Sequence, residues 1–236
     1  MNKATILLCG NHSQTRQMLE VTLIRMGYHV TSLDGTPLPL VMTQQQPDLV
    51  FVDDLTVCHQ LRENWHALPI LFYSSHDSPQ HVVQALDQGA DDYIVVPFAR
   101  EEFAARIRAR LRHTASVRTT GGGLSEDATL EVLQSADGAI CLNVATHRVQ
   151  VNHQDVRLTR TEFDLLQCFL LHAGKTLTYD FLLTTVWGSE YEGMEEYVRV
   201  YVRRLRQKIE PDATHPTYLR TQLNQGYVFY QPEAKR

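Results

Sequence analysis

The longest amphipathic pattern in the chain covers residues 195–210, EEYVRVYVRRLRQKIE. At about 100° per residue, as in an α-helix, one side of this segment is apolar and the other is polar. The apolar stripe consists of Val198, Val202, Leu205 and Ile209, with Tyr201 at its edge. The opposite side consists of Glu196, Val200, Arg203, Arg204 and Gln207. We expect the stripe to pack in a core, and we expect Val200 and the adjacent arginines to lie outside it.

The polar side of this helix suits a nucleic acid. An α-helix fits the DNA major groove, where arginine reads guanine and an apolar side chain touches a thymine methyl group. A solvated basic face on an ordinary helix is the alternative interpretation, and the helix alone does not decide between the two.

The first half of the chain alternates short apolar runs with helical patterns. The runs cover residues 6–9, 48–52, 69–73 and 92–96, and the helical patterns cover residues 15–26, 80–88 and 100–113. Continuous apolar strands that alternate with helices are typical of a parallel sheet covered on both faces. In such a sheet, ligand chemistry sits at the carboxyl ends of the strands. Those ends carry Gly10, Asn11, Asp53, Asp54, Ser74 and Ser75.

Composition restricts the function further. The 236 residues allow one large or two ordinary domains, and the net charge of −5 means that DNA binding requires a local basic patch. The four cysteines form no C-x-x-C pair, and the eleven histidines show no metal-ligand spacing with them. No segment reaches the apolar length of a membrane span, so we expect a cytoplasmic protein. No nucleophile–base constellation is present, and we expect no enzymatic activity.

Three segments of the first half resemble one family closely. PDLVFVD, PILFYSS and GADDYIVVPF resemble the receiver domain of bacterial two-component response regulators over residues 1–113. The resemblance implies a doubly wound, five-stranded parallel α/β sheet of flavodoxin-like type. It places Asp53 at the phospho-acceptor position, with Ser74 and Tyr93 at the switch positions. In that family an acidic pair after the first strand holds Mg²⁺, and a lysine after the fifth strand contacts the phosphoryl group.

The chain departs from that family at the phosphorylation machinery. The acidic pair aligns with Gly10 and Asn11, and the lysine aligns with Val96. Mg²⁺ prefers carboxylate oxygens, so we expect its binding to be weak or absent and Asp53 to be inactive as an acceptor. Two alternatives remain open: a conventional switch through phosphorylated Asp53, and a receiver that senses a small molecule or a partner protein.

The second half begins after a Gly-, Ser- and Thr-rich stretch, which predicts a linker at residues 114–128. Short strand-like segments then precede three helical patterns and a hairpin around Leu-Asn-Gln-Gly. LTRTEFDLLQCFLLHAGK, VWG, VRVYVRRLRQKIE and GYVF resemble the DNA-binding domain of the OmpR/PhoB class. The resemblance implies an α+β winged helix-turn-helix domain over residues 129–236 and double-stranded DNA as the partner.

The OmpR/PhoB resemblance also assigns residues. It places Arg203 and Arg204 at positions that contact phosphates and bases, and Val200 at a position that meets a thymine methyl group. Phosphate-contacting positions match Trp187, Tyr201, Thr221 and Tyr227. The wing arginine of the family aligns with Leu223, and Glu196 replaces a common basic residue. We therefore expect weaker and less salt-sensitive DNA binding than in more basic members.

The same resemblance predicts protein partners. The family dimerises through the last helix–strand–helix of the receiver, and the charged positions of that surface match Asp91, Asp92, Glu102 and Arg106. RNA polymerase is a further expected partner, with Tyr191 and Glu192 as contact candidates. A histidine kinase or a small-molecule effector would supply the input. The sequence thus predicts a transcriptional regulator that acts independently of aspartate phosphorylation.

Overall fold

The computed structural model describes residues 4–11, 13–33, 37–119 and 132–231. The chain divides into two compact units, Met1–Thr120 and Gly121–Arg236. Among the described residues, no helix has both the length and the apolar character that crossing a bilayer requires.

The first unit is built on five parallel strands in the order β2-β1-β3-β4-β5. The strands are β1 (Thr5–Cys9), β2 (His29–Ser32), β3 (Leu49–Val52), β4 (Ile70–Ser74) and β5 (Asp92–Val95). The three central strands are almost wholly buried because helices cover both faces of the sheet. This confirms the covered parallel sheet predicted from the apolar runs and the doubly wound receiver fold implied by the family resemblance.

Within the part of this unit that the structure describes, five α-helices connect and flank these strands. They are α1 (Ser13–Arg25), α2 (Leu38–Gln45), α3 (Leu55–Asn64), α4 (Pro79–Asp87) and α5 (Arg100–Thr119). The sequence patterns did not single out β2, α2 or α3. Strand β2 is an edge strand with no fully buried residue, so it needs no continuous apolar run.

The last helix is longer than its apolar pattern. The sequence predicts a linker from residue 114, but α5 continues to Thr119. A helix needs a periodic apolar face only where it packs, and it can continue through polar residues until the backbone is interrupted. Residues 120–128 of the predicted linker lie outside the described residues.

In its described residues, the second unit combines two antiparallel sheets with three α-helices and a short 3-10 helix, Ser189–Tyr191. Strands β6 (Val132–Gln134), β7 (Ile140–Asn143), β8 (Arg148–Val151) and β9 (Gln154–Val156) form one sheet in chain order. Next come α6 (Arg160–Leu171), β10 (Thr176–Thr178), α7 (Tyr179–Val186) and α8 (Glu195–Ile209). Strands β11 (Leu219–Gln222) and β12 (Gly226–Phe229) form the final hairpin, which also pairs with β10. This is the predicted winged helix-turn-helix fold.

Local chemistry explains where α6 begins. The Thr159 side chain accepts a hydrogen bond from the Glu162 N–H at 3.3 Å, and the Glu162 carboxylate accepts one from the Thr159 N–H at 2.7 Å. This reciprocal capping box satisfies two backbone donors that the first helical turn leaves unpaired. The helix then buries Phe163, Leu166 and Phe169 in the core of the unit.

Candidate functional site

The exposed side of α8 carries a row of polar side chains at four-residue spacing. Arg199, Arg203 and Gln207 are exposed, and they follow one another along the same face of the helix. The opposite side of α8 is buried, as the apolar stripe predicts. The row therefore presents two guanidinium groups and one amide to the surroundings.

Arg199 is positioned by the two acidic residues that open α8. Its guanidinium binds the Glu195 carboxylate, and it donates to Glu196 at 3.2 Å. The arginine lies one turn along the helix from these carboxylates, so they offset part of its charge. The sequence reading placed Glu196 on this side but did not single out Arg199. Its four-residue spacing from Arg203 was the available signal.

Val200 lies in the core and not on the exposed side of α8, where the sequence pattern predicts it. Its side chain is only 3% exposed, so the prediction that it lies outside the core is wrong. Helix α8 packs against both α6 and α7, which makes its buried arc wider than the narrow apolar stripe. Tyr201 is likewise fully buried and stands edge-on to Trp187, with 5.3 Å between ring centroids.

Arg204 faces the interior of the unit rather than the exposed row. Its Nε atom lies 3.2 Å from the carboxylate of Glu162, whose side chain is fully buried, and Lys208 binds the other oxygen at 2.5 Å. Burial works to raise the pKa of Glu162, but the charges of Arg204 and Lys208 outweigh it and lower that pKa below its ordinary value. The ion cluster fixes α8 to the first turn of α6.

The remaining predicted phosphate contacts occupy different environments. Trp187 is 1% exposed, and within the described residues its buried indole N–H has no hydrogen-bond partner. Tyr227 is also buried, whereas Thr221 is exposed and accepts a hydrogen bond from Arg206 at 2.9 Å. At the tip of the hairpin, Leu223 is 85% exposed, the most exposed of the large apolar side chains that the structure describes.

In the first unit, Asp53 lies at the carboxyl end of β3 beside the end of β1. Both of its carboxylate oxygens accept from the Asn11 backbone N–H, at 3.1 and 3.0 Å. A Cβ atom added at Gly10 would lie 2.8 Å from Asp53 Oδ2 and would overlap the hydroxyl oxygen of Tyr73. Tyr73 thus reaches from β4 across β3 into the space next to Gly10.

The residues at this edge do not fit a magnesium ion. Asp53 is the carboxylate there, while Gly10 has no side chain, Asn11 is neutral and Val96 supplies no cation for a phosphoryl group. No group of three or more histidine, cysteine, aspartate or glutamate side chains in the described parts of the chain is arranged to hold a metal ion. The donor set therefore lacks the hard oxygen ligands that Mg²⁺ requires.

The two switch positions are both held by the loop after β4. The Ser74 hydroxyl oxygen accepts from the His76 N–H at 3.1 Å, and the Tyr93 hydroxyl donates to the His76 carbonyl at 2.7 Å. The Tyr93 ring is 3% exposed and stacks on Phe72, with 5.7 Å between ring centroids. Ser74 and Tyr93 are therefore linked through one residue of this loop.

The charged positions assigned to dimerisation are largely buried. Asp91 binds Arg62 and accepts from the Ile70 N–H, while Asp92 binds Arg106 at 2.9 Å. Asp91, Asp92 and Arg106 are each at most 4% exposed, so they do not form an exposed charged surface, and their part in dimerisation stays a prediction. Buried charges are stable only when paired, and these are paired within one chain. Glu102 alone of the four predicted residues is exposed, and it binds Arg106 at 2.7 Å.

Fold and sites together define a response regulator with a winged-helix output domain. Residues 6–108 match the response regulator receiver domain, and residues 153–229 match the family described as transcriptional regulatory protein, C terminal. The chain belongs to the OmpR/PhoB family of response-regulator transcription factors, a non-enzymatic family with a DNA-binding winged helix.

Solved structures with this architecture cover the whole chain or one domain of it. A cysteine-to-serine variant of RitR is 24% identical with a TM-score of 0.70, over 97% of this chain and 100% of that chain. DrrB of Thermotoga maritima, an OmpR/PhoB homolog, is 20% identical with a TM-score of 0.42, over 97% and 100%. The DNA-binding domain of Klebsiella pneumoniae RstA in complex with the RstA box is 30% identical over 43% of this chain and 99% of that chain, with a TM-score of 0.40. The likeness to RitR reflects the shared fold.

Proposed function

We propose that this transcription factor reads its operator with the exposed row of α8 and acts without phosphorylation of Asp53. The observation that carries the second part is the donor set beside Asp53, which has lost both the metal ligands and the lysine. The first part rests on the exposure of Arg199, Arg203 and Gln207 on a helix of a DNA-binding winged helix.

The row offers the chemistry that base recognition needs. Arginine binds the O6 and N7 atoms of guanine in two hydrogen bonds, and glutamine binds the N6 and N7 atoms of adenine in the same way. Four-residue spacing places successive side chains about 6 Å apart along the helix, so neighbours reach base pairs one or two steps of about 3.4 Å apart. We assign base reading to Arg203 and Gln207. Arg199, partly neutralised by Glu195 and Glu196, contacts a phosphate.

Arg204 takes a supporting role in this proposal. Its guanidinium is occupied by the buried Glu162 carboxylate, and it also lies 5.0 Å from the centre of the Tyr201 ring. It therefore fixes the orientation of α8 instead of reading a base. Val200 is buried beneath the exposed row of α8, so it does not reach a thymine methyl group.

The flanks of α8 supply backbone contacts. We assign two donors to DNA phosphates: the exposed Thr221 hydroxyl and the unpartnered Trp187 indole N–H. The indole N–H is buried, so it reaches a phosphate only after the atoms that cover it shift slightly. Leu223 at the wing tip brings no charge to the minor groove. Fewer cationic contacts give a shallower dependence of affinity on salt than in more basic members of the family.

Phosphorylation independence gives a direct expectation. A phosphoryl group on Asp53 would add about two negative charges beside Asp54, with neither Mg²⁺ nor a lysine to neutralise them. We expect small phosphodonors with Mg²⁺ to leave the protein unmodified, as measured by intact-mass spectrometry. We also expect Asp53→Ala to bind DNA with the affinity of the parent protein. A stable phosphate adduct that is absent from Asp53→Ala would restore the conventional switch.

A ligand-controlled receiver is the second candidate, and one observation favours it. A cavity of about 300 Å³ lies beside Asp53, with Ser74, His76, His81 and Tyr93 among its walls. Because Ser74 and Tyr93 both line this cavity, a molecule in it would contact the two switch positions at once. DNA affinity that changes on addition of a small molecule, in the parent but not in His76→Ala, would support this candidate.

We propose further that two copies bind direct-repeat half-sites, in the manner of dimeric helix-turn-helix proteins. With half-sites about 10 base pairs apart, both copies lie on one face of the duplex. We expect sedimentation velocity to detect two proteins on such DNA, and weaker binding of the second copy when the spacing grows by about 5 base pairs. Monomers on both DNAs at every concentration would contradict this proposal.

RNA polymerase is the remaining partner in the proposal. Of the two contact candidates in the loop before α8, Tyr191 is fully buried against Tyr197, whereas Glu192 is exposed. Glu192 is therefore the residue of this loop that we assign to the polymerase.

A further inference from the structure

We propose that Tyr73 and Gly10 form a matched pair that closes the metal site of the receiver. In this arrangement the tyrosine hydroxyl occupies the space that a side chain at position 10 would fill. The inference rests on the proposed function, because it assigns the loss of phosphorylation chemistry to a particular pair of residues. It also predicts that an acidic residue at position 10 alone cannot restore Mg²⁺ binding.

The first argument is steric. A Cβ atom at Gly10 would overlap the Tyr73 hydroxyl oxygen. Tyr73 is only 1% exposed and belongs to the sheet core, where its ring lies 6.5 Å from that of Phe51. A tyrosine packed in this way cannot swing out to solvent, so the hydroxyl has little freedom to make room. Asp53 adds to this exclusion, because its Oδ2 atom would lie 2.8 Å from the same Cβ, but the Tyr73 hydroxyl makes the shorter contact and is the main reason that position 10 accepts only glycine.

The second argument is electrostatic. Burial, followed by the neighbouring Asp53 carboxylate, raises the pKa of Tyr73 above its ordinary value. The hydroxyl that replaces the acidic side chain is therefore neutral, whereas the ligands Mg²⁺ favours are charged carboxylates. Arg16 adds a cation at the same edge, because its Nη1 atom donates to the Gly10 and Leu33 carbonyls, each at 3.1 Å. A fixed guanidinium there opposes the approach of a divalent cation.

The third argument concerns Asp53 itself. The Asn11 N–H lies within hydrogen-bond distance of both carboxylate oxygens. The carboxylate thus ties the end of β3 to the loop after β1, close to the Tyr73 hydroxyl. Asp53, Tyr73 and Gly10 together form a structural junction at the carboxyl ends of β1, β3 and β4.

A double-mutant cycle tests the steric pairing. We expect Gly10→Ala to lower the thermal midpoint of the receiver, and we expect a clearly smaller loss when Tyr73→Phe has removed the overlapping oxygen. Tyr93→Phe is the matched control, since it also removes a buried tyrosine hydroxyl, and it should give no such relief. Equal losses from Gly10→Ala in all three backgrounds would overturn the proposal.

A metal titration tests the functional consequence. We expect Gly10→Asp to bind Mg²⁺ no better than the parent, and Gly10→Asp with Tyr73→Phe to bind it at least about tenfold more tightly, measured by calorimetry on protein shown to be folded. The inference would be overturned if Gly10→Asp alone bound Mg²⁺ as tightly as the double variant does. It would also be overturned if the folded double variant bound Mg²⁺ no more tightly than the parent. Failure of the proposed function would appear instead as a phosphate adduct on the parent protein.

Discussion

We expect the Glu162→Ala variant to lose about 3 kcal/mol of unfolding free energy from the DNA-binding unit, at the low end of the range for breaking a buried ion pair. The carboxylate is fully buried and holds Arg204, Lys208 and the Thr159 N–H. Its removal leaves a mostly buried guanidinium without its counter-charge and deletes half of the capping box. Lys208 is 30% exposed and can turn to solvent, which keeps the loss from being larger.

Urea unfolding followed by Trp187 fluorescence measures this effect, in a Trp65→Phe background so that the second unit reports alone. Glu195→Ala is the matched control, because it removes a partly exposed glutamate from α8 and should change the stability by less than about 0.5 kcal/mol. A loss for Glu162→Ala as small as that of the control would show that the cluster does not hold α8 in place.

The same cluster predicts the pH dependence. The folded-state pKa of Glu162 lies below its ordinary value of 4.5, so the ionised carboxylate stabilises the fold fully above that value. The contribution is lost as the pH falls through the lower folded pKa. The stability difference between the parent and Glu162→Gln should therefore narrow on acidification below about pH 4.5 and stay constant at higher pH.

The second large effect is expected on DNA. Arg203→Ala should weaken binding to the best site by about 1–3 kcal/mol and relax the preference at one base pair, because it removes a contact to a base edge. The site comes from selection on random DNA, and fluorescence anisotropy at fixed salt gives the affinities. If Arg203 instead contacts a phosphate, all sequences weaken alike and the salt slope falls by about 1.

Two arginines of the same domain serve as comparisons. Arg148 is exposed on β8, a strand that pairs with β7 and β9, and Arg148→Ala should leave both affinity and preference unchanged. Arg204→Ala should act through stability, since its guanidinium binds Glu162. The roles of the two residues would be reversed if Arg203→Ala bound DNA with the affinity of the parent and Arg204→Ala changed the base preference. Arg204 would then read the base, and Arg203 would not.

The sequence determined most of the elements and the class of the protein. Apolar runs without polar interruption specify strands buried on both faces, and the stripe of Val198, Val202, Leu205 and Ile209 specifies the buried side of α8. The box formed by Thr159 and Glu162 specifies the start of α6. These signals are local, because each depends on the spacing of residues within one element or one turn.

The tertiary structure decided which side chains are available. Val200 is buried because α8 packs on two helices. Arg204 and Asp92 form ion pairs with other residues of the same chain. A helical projection cannot show this, since it contains one helix and no neighbours. The close approach of the Tyr73 hydroxyl to Gly10 likewise requires β1, β3 and β4 to lie side by side. Burial and pairing are set by contacts between segments distant in sequence, and those contacts form only once the elements have packed.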